Sequence, residues 1–341
     1  MRAIPFIDAR QGGPVGCAAA RSAAARELRD ACLPLPRWAE GALTPIDRIA
    51  AEWLRHSASP YRHELERVVD ILGFPGAMAM NMAYLFGCTT HGRLDETGAP
   101  MLRRSLDWPF AGLGKCVEVV WQRGPAGEFY NVTWPGAVGV LTATAPGRFC
   151  AVINQAPMRR STGTIFGFPY DFVANVRSAL GRKGDWPPDH LLRYAFETCP
   201  DFESAIALLS RAPLSRPALF TLAGVAPQEI ALIEREERDA RLFRGPVVVA
   251  NDWQEPRAGW RPRLTRENNE RRKAAMRAAH AEGPALHWTA PPVLNRLTRL
   301  AVEISAAGEG ELVARGYECP LLGGAPQRAT LDFRLREERA A

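Results

Sequence analysis

Apolar residues along the chain change their spacing near residue 87. Upstream, Leu65, Val68, Val69 and Leu72 recur at a helical period within Tyr61–Leu72. An Ala-rich stretch from Cys17 to Cys32 and the segment Thr44–Leu54 read the same way, with Thr44 placed to cap and Pro45 at the first helical position. Gly73-Phe74-Pro75-Gly76 breaks the pattern, and an apolar lead-in, Ala77–Phe86, runs into Gly87-Cys88-Thr89-Thr90. Residues 1–87 are therefore expected to be mostly helical.

Downstream the texture is one of short strands. They are expected at Lys115–Gln122, Glu128–Thr133, Ala137–Thr142 and, after Pro146-Gly147, Arg148–Asn154. A helical layer follows: Tyr170–Leu180, His190–Thr198, and Phe202–Ser210 capped by Asp201. Strands resume at Pro217–Val225, Glu229–Glu234, Arg241–Arg244 and Val247–Ala250. Helices are expected at Leu264–His280 and Pro291–Ile304, and closing strands at Glu311–Glu318 and Thr330–Arg334. The pattern predicts an α+β fold.

One local feature carries chemistry. The turn Asp95-Glu96-Thr97-Gly98 separates two stretches that can pair as a hairpin, folding Arg104 and Asp107 back towards Cys88. A thiol would then meet a guanidinium that favours its thiolate and a carboxylate that can orient a nearby amine.

Composition narrows the reading. A chain of 341 residues with 47% hydrophobic and 23% charged residues suits a globular protein. The net charge of +6 is almost all scattered Arg, with Lys only at 115, 183 and 273, so no phosphate-binding stripe forms and nucleic acid is not an expected partner. The seven Cys are widely spaced without a Cys-x-x-Cys pair, and the six His show no metal spacing, so neither metal nor cofactor is expected. The N-terminus lacks the apolar core of a signal peptide and no run reaches the length of a membrane span, which makes cytoplasmic the default.

The Cys88-Thr89 pair, with Arg104 and Asp107 placed 16 and 19 residues beyond Cys88 and Trp108-Pro109-Phe110 behind them, resembles the cysteine branch of the N-terminal nucleophile hydrolases. The similarity is to acid ceramidase, N-acylethanolamine acid amidase and the choloylglycine hydrolases. It extends upstream to His63–Gly73 and downstream to Gly136–Thr142, Pro146-Gly147, Asn154, Ala250-Asn251-Asp252-Trp253 and Asn268-Asn269-Glu270-Arg271-Arg272. Ser105 stands where the family has Asn, Arg103 where it has Gly, and Gln155 where the ceramidases have Glu.

The resemblance implies a four-layer α-β-β-α sandwich. It also implies a precursor that cuts itself between Gly87 and Cys88 into an α-part, 1–87, and a β-part, 88–341, which stay together as a heterodimer. Cys88 would be the nucleophile with its own freed α-amine as base. Arg104 would stabilise the thiolate, Asp107 would hold the amine, Asn154 and Asn251 would serve the oxyanion, and Arg271, the first of the pair, would support the site. The substrate implied is a small N-acyl amide, lipid-like in its acyl chain, with the lead-in as acyl pocket or peripheral membrane lip. Acyl transfer on the same scaffold and an unprocessed binding module stay open beside hydrolysis. Cys32 with Cys319 is the pairing to test for a link between the two parts.

Overall fold

The computed structural model describes residues 1–83, 87–162, 167–279, 283–320 and 324–340. Tyr84, Leu85 and Phe86 at the end of the lead-in, and His280 at the end of the expected Leu264–His280 helix, lie outside the described residues. The chain opens with a short strand, β1 (Phe6–Asp8), that the apolar pattern did not reveal. Four helices follow: α1 (Gly13–Cys32), α2 (Thr44–Arg55), α3 (Arg62–Leu72) and α4 (Ala77–Asn81). α3 stops at Gly73, whose φ of 64° is a left-handed value that a residue without Cβ adopts freely. Thr44 does not cap α2. A 3-10 turn, Arg37–Leu43, runs directly into the helix, so Thr44 sits inside it.

The expected hairpin forms from β2 (Gly87–Leu94) and β3 (Pro100–Asp107). Next come β4 (Glu118–Gly124), β5 (Gly127–Thr133), β6 (Thr142–Ala145), β7 (Phe149–Gln155) and a two-residue β8 (Met158–Arg159). Three helices follow, α5 (Phe168–Gly181), α6 (Pro188–Thr198) and α7 (Phe202–Arg211). Asp201 caps α7 in a capping box with Ser204. The second run of strands is β9 (Ala218–Ala223), β10 (Ile230–Arg235), β11 (Ala240–Arg244), β12 (Val247–Val249) and β13 (Trp260–Arg261). The chain ends with α8 (Arg266–Ala278), β14 (Thr298–Ser305), β15 (Glu311–Glu318), β16 (Gln327–Arg328), β17 (Phe333–Arg334) and α9 (Leu335–Ala340).

These strands make two large sheets. One runs β1-β4-β5-β6-β7-β9-β10-β11, and the other β12-β2-β3-β14-β15-β16 with β17 also on β15. They pack face to face over a shared core that includes Leu102, Leu106, Val152, Phe220, Ile230, Val302 and Ile304. Gly92 lets them approach closely, because a Cβ there would come within 2.8 Å of Ile230 Cγ2. α6 and α7 cover the outer face of the first sheet, and α8 covers the second. The layers run α-β-β-α, as the resemblance implied.

Two expected elements are corrected. Pro291–Ile304 is not a helix: Thr298–Ser305 is the strand β14, lying between β3 and β15. Leu300, Val302 and Ile304 enter the core between the sheets while Ala301 packs on the opposite side. A strand buried on both faces reads as a continuous apolar run, which resembles one side of a helix. The expected strand Ala137–Thr142 begins only at Thr142. Upstream of it, α6 claims the backbone: Val140 N–H donates to the Asp189 carbonyl at 3.1 Å, and a Cβ on Gly139 would fall 2.0 Å from Asp189 Oδ2. All seven cysteines are free thiols, Cys32 and Cys319 included.

Candidate active site

The pleat of the β2–β3 hairpin sorts the site into two faces. Gly87 pairs with Asp107, Cys88 with Leu106, and Thr90 with Arg104. Directly opposed residues share a face and successive residues alternate. Cys88, Thr90 and Arg104 therefore point between the sheets, while Asp107 points outward towards α8. The thiol meets the guanidinium directly, while the carboxylate lies on the other face of the hairpin, near enough for its charge to act on the thiol.

On the inner face, Arg104 Nη2 donates to Cys88 Sγ at 3.2 Å and to the Ile153 carbonyl at 2.9 Å. Its Nη1 donates to Thr142 Oγ1. Cys88 and Arg104 are completely buried. Burial raises the Cys88 thiol pKa, and the nearby Arg104 charge opposes that rise without overcoming it. The guanidinium does favour thiolate, as expected from sequence, but desolvation is the larger effect and leaves the thiol pKa above its ordinary value.

The outer face is organised by Arg272. Its Nη1 donates to the Cys88 carbonyl at 2.7 Å and to Thr89 Oγ1 at 2.8 Å, and lies 3.4 Å from Asp107 Oδ2. Its Nη2 reaches Asn269 Oδ1 at 2.5 Å and Asn251 Oδ1 at 3.2 Å, and its Nε reaches Asn268 Oδ1 at 2.9 Å. Asp107 accepts further bonds from Thr298 Oγ1 at 2.8 Å and Asn295 Nδ2 at 2.9 Å. A buried charge needs such a full set of partners.

Asn251 links the outer shell to the nucleophile. Its Oδ1 accepts the Cys88 backbone N–H at 2.8 Å, and its Nδ2 donates to the Gln155 carbonyl at 2.8 Å. Asn154 takes a different part. Its Oδ1 accepts from Thr90 Oγ1 at 2.7 Å, and its Nδ2 donates to the Ala250 carbonyl at 3.1 Å. That amide stitches β2 to the chain end of β12 and holds Asn251 in place.

The fold thus brings together Cys88, Arg104, Asp107, Asn154 and Asn251. It leaves out Arg271, which is exposed on the far side of α8, and puts Arg272 in its place. Sequence held a signal for this: Asn269, Arg272, Lys273 and Met276 fall on one face at helical spacing, and all four are buried. Thr142, Asn295 and Thr298 also join the site, and short polar residues such as these give little sequence signal.

Two cavities flank the lead-in. One, of about 390 Å³, lies between the N-terminal helices and the sandwich and is lined by Leu28, Leu43, Phe74, Met80, Trp108 and Trp134 among others. The other, of about 330 Å³, adjoins Met82, Ala83 and Gln155, and includes Arg216, Glu237 and Arg263. Both touch Ala79 and Ala83.

No sequence model of a known family matches the chain. It is similar to the N-acylethanolamine-hydrolyzing acid amidase of Rattus norvegicus, 27% identical over 278 residues that cover 78% of this chain and 70% of that one. The acid ceramidase of Heterocephalus glaber is 24% identical over 214 residues, covering 57% of this chain and 52% of the ceramidase. Among solved structures, the N-acylethanolamine-hydrolyzing acid amidase ortholog of Caenorhabditis elegans superposes with a TM-score of 0.50 at 17% identity, over 65% of this chain and 93% of that chain. That structural likeness is one of fold.

Proposed function

We propose that this chain, an N-terminal nucleophile hydrolase related to the N-acylethanolamine acid amidases and acid ceramidases, cuts itself before Cys88 and then hydrolyses N-acyl amides. The observation that carries the reading is the cradle around the Cys88 backbone. Asn251 Oδ1 accepts its N–H, Arg272 binds its carbonyl, and Arg104 binds its sulfur. Any buried backbone needs partners for its N–H and carbonyl, but a structural cysteine has no use for a buried guanidinium on its sulfur.

In the cut, Sγ attacks the Gly87 carbonyl carbon and the thiol proton passes to the Cys88 nitrogen as the peptide C–N bond breaks. Water hydrolyses the resulting thioester, releasing the Gly87 carboxylate and restoring the thiol. The freed α-amine, with a generic pKa of about 7.7–8.0, becomes the base. Asn251 Oδ1 already accepts a hydrogen from that nitrogen, and Arg272 keeps the Asp107 carboxylate close to it.

In turnover, the amine takes the thiol proton, the sulfur attacks the substrate amide, and the acyl group passes to sulfur. The proton returns to the departing amine, and water then cleaves the thioester. Arg104 lowers the cost of the thiolate that forms when the amine takes the proton. The cavity of about 390 Å³, almost wholly apolar in its lining, suits the acyl chain. Ile46 and Ile49 of α2 and Tyr170 and Val173 of α5 are exposed apolar residues, which supports contact with a lipid surface. No helix among the described residues is long and apolar enough to cross a membrane.

The test is intact mass and N-terminal sequencing of the purified chain beside Cys88→Ala, followed by assay on fatty-acyl amides. A fragment beginning at Cys88, absent from the variant, with amide turnover, is the expected result. A chain that stays whole at neutral and mildly acid pH removes the base and overturns the mechanism.

A further inference from the structure

The cavity of about 330 Å³ differs from its apolar neighbour in its charges. Arg216, Glu237 and Arg263 are the charged residues lining it. Glu237 is already neutralised: Arg159 Nη2 donates to its Oε2 at 2.6 Å, and Arg182 Nη2 lies 3.2 Å from its Oε1. Among the described residues Arg263 has no such partner. Its Nε is buried without a hydrogen bond, and no carboxylate contributes to its electrostatic surroundings. Burial first, and then the like charge of Arg216, lower its pKa to about 9, which still leaves the guanidinium charged at neutral pH. A cation set beside another cation and partly desolvated is a cost that an incoming anion would remove.

Arg263 is also built into the site. Its backbone N–H donates to the Asn251 carbonyl at 3.1 Å, and its own carbonyl accepts from Asn269 Nδ2 at 3.0 Å. Those are the two asparagines that hold Cys88 and Arg272. The same cavity is lined by Gln155, whose carbonyl accepts from Asn251 Nδ2, and by Ala83 of the lead-in. An anion at Arg263 would therefore sit beside the nucleophile's shell, in a cavity that adjoins the apolar one at Ala79 and Ala83.

We propose that Arg263, with Arg216 beside it, forms an anion subsite for the amine half of the substrate, so that the chain takes N-acyl amino acids in preference to N-acylethanolamines. The assignment of the two halves rests on the amidase reading above: the apolar cavity receives the acyl chain, and the cationic one receives the leaving group. A planar guanidinium matches a carboxylate with two parallel hydrogen bonds, which an alcohol cannot return.

Binding to the uncut Cys88→Ala chain tests this without requiring turnover. N-decanoylglycine, N-decanoylethanolamine and decanoate would be titrated by calorimetry below their aggregation thresholds. The glycine conjugate is expected to bind at least about tenfold more tightly than the ethanolamide. Adding Arg263→Gln should erase that difference, and Arg263→Lys should keep part of it. Equal affinity for the two conjugates in the parent overturns the proposal, whatever the variants do. So does a preference that survives Arg263→Gln, or decanoate binding as tightly as its glycine conjugate. Selective binding that depends on Arg263, with neither amide hydrolysed by the wild-type chain, upholds the anion subsite and sinks the amidase reading instead.

Discussion

The backbone nitrogen of Cys88 donates to Asn251 Oδ1 at 2.8 Å, across 163 residues of sequence. This bond fixes the atom that would become the catalytic amine, and Asn251 is held in turn by the Gln155 carbonyl and by Arg272. Asn251→Ala leaves a buried N–H and a buried carbonyl without partners, at about 1–3 kcal/mol each. The Gly87–Cys88 cut is expected to slow by about tenfold or more, read as a time course of fragment appearance. A rate within about twofold of wild type would remove Asn251 from the mechanism.

Arg271 and Arg272 are neighbours with opposite fates. Arg271→Ala touches an exposed side chain and should change stability by no more than about 0.5 kcal/mol. Arg272→Ala strips the charge partner from buried Asp107 and the donors from Asn251, Asn269 and the Cys88 carbonyl, at about 3–5 kcal/mol. Urea melts of the two variants, set beside wild type, decide it. Equal losses would mean that Arg272 has no special place.

Arg104 lowers the pKa of a thiol that burial raises. Replacing it with Gln removes the opposing charge, so the pH at which the self-cut rate is half its maximum should move upward. The rate at neutral pH should fall by about tenfold or more, since each pKa unit is worth about 1.4 kcal/mol. Arg104→Lys should recover part of the loss. An unmoved pH profile in Arg104→Gln would show that the thiolate is stabilised elsewhere.

Glu118 of β4 is a buried carboxyl whose Oε2 lies 3.2 Å from Arg21 Nε of α1, and burial raises its pKa to about 7 despite that partner. The folded chain therefore holds a proton that the unfolded chain has lost across the window from about 4.5 to 7. Its contribution is fully present below that window and fades as pH rises through it, by up to about 3 kcal/mol. Glu118→Gln should flatten this part of the stability curve relative to wild type. Parallel curves for the two proteins across the window would refute the assignment.

Much of the site could be read from the chain because it lies on a hairpin. The turn at Asp95–Gly98 and the distances from Cys88 to Arg104 and Asp107 placed both residues beside Gly87-Cys88. The same spacing also contains parity. Arg104 and Asp107 are three apart on one strand and so must face opposite ways. Arg272 was legible in the same manner, from the buried stripe Asn269, Arg272, Lys273 and Met276. β14 was not, because burial on both faces erases the alternation that marks a strand. β1 was not either, since three residues on a sheet edge are too few to set a period. The fold class and the layers do not depend on these two elements, because each adds a strand to a sheet that the other strands already define.

β1 has a further consequence. It pairs in parallel with β4, matching Phe6 with Val119 and Asp8 with Trp121, while Arg2 bridges to Thr330. The first residues of the chain are thus held by residues that lie beyond Cys88. If the chain is cut at Gly87–Cys88 as proposed, the eight-stranded sheet belongs to two polypeptides, and its integrity becomes a matter of mass action. The denaturation midpoint of the cut protein should then rise with protein concentration, whereas that of the uncut Cys88→Ala chain should not.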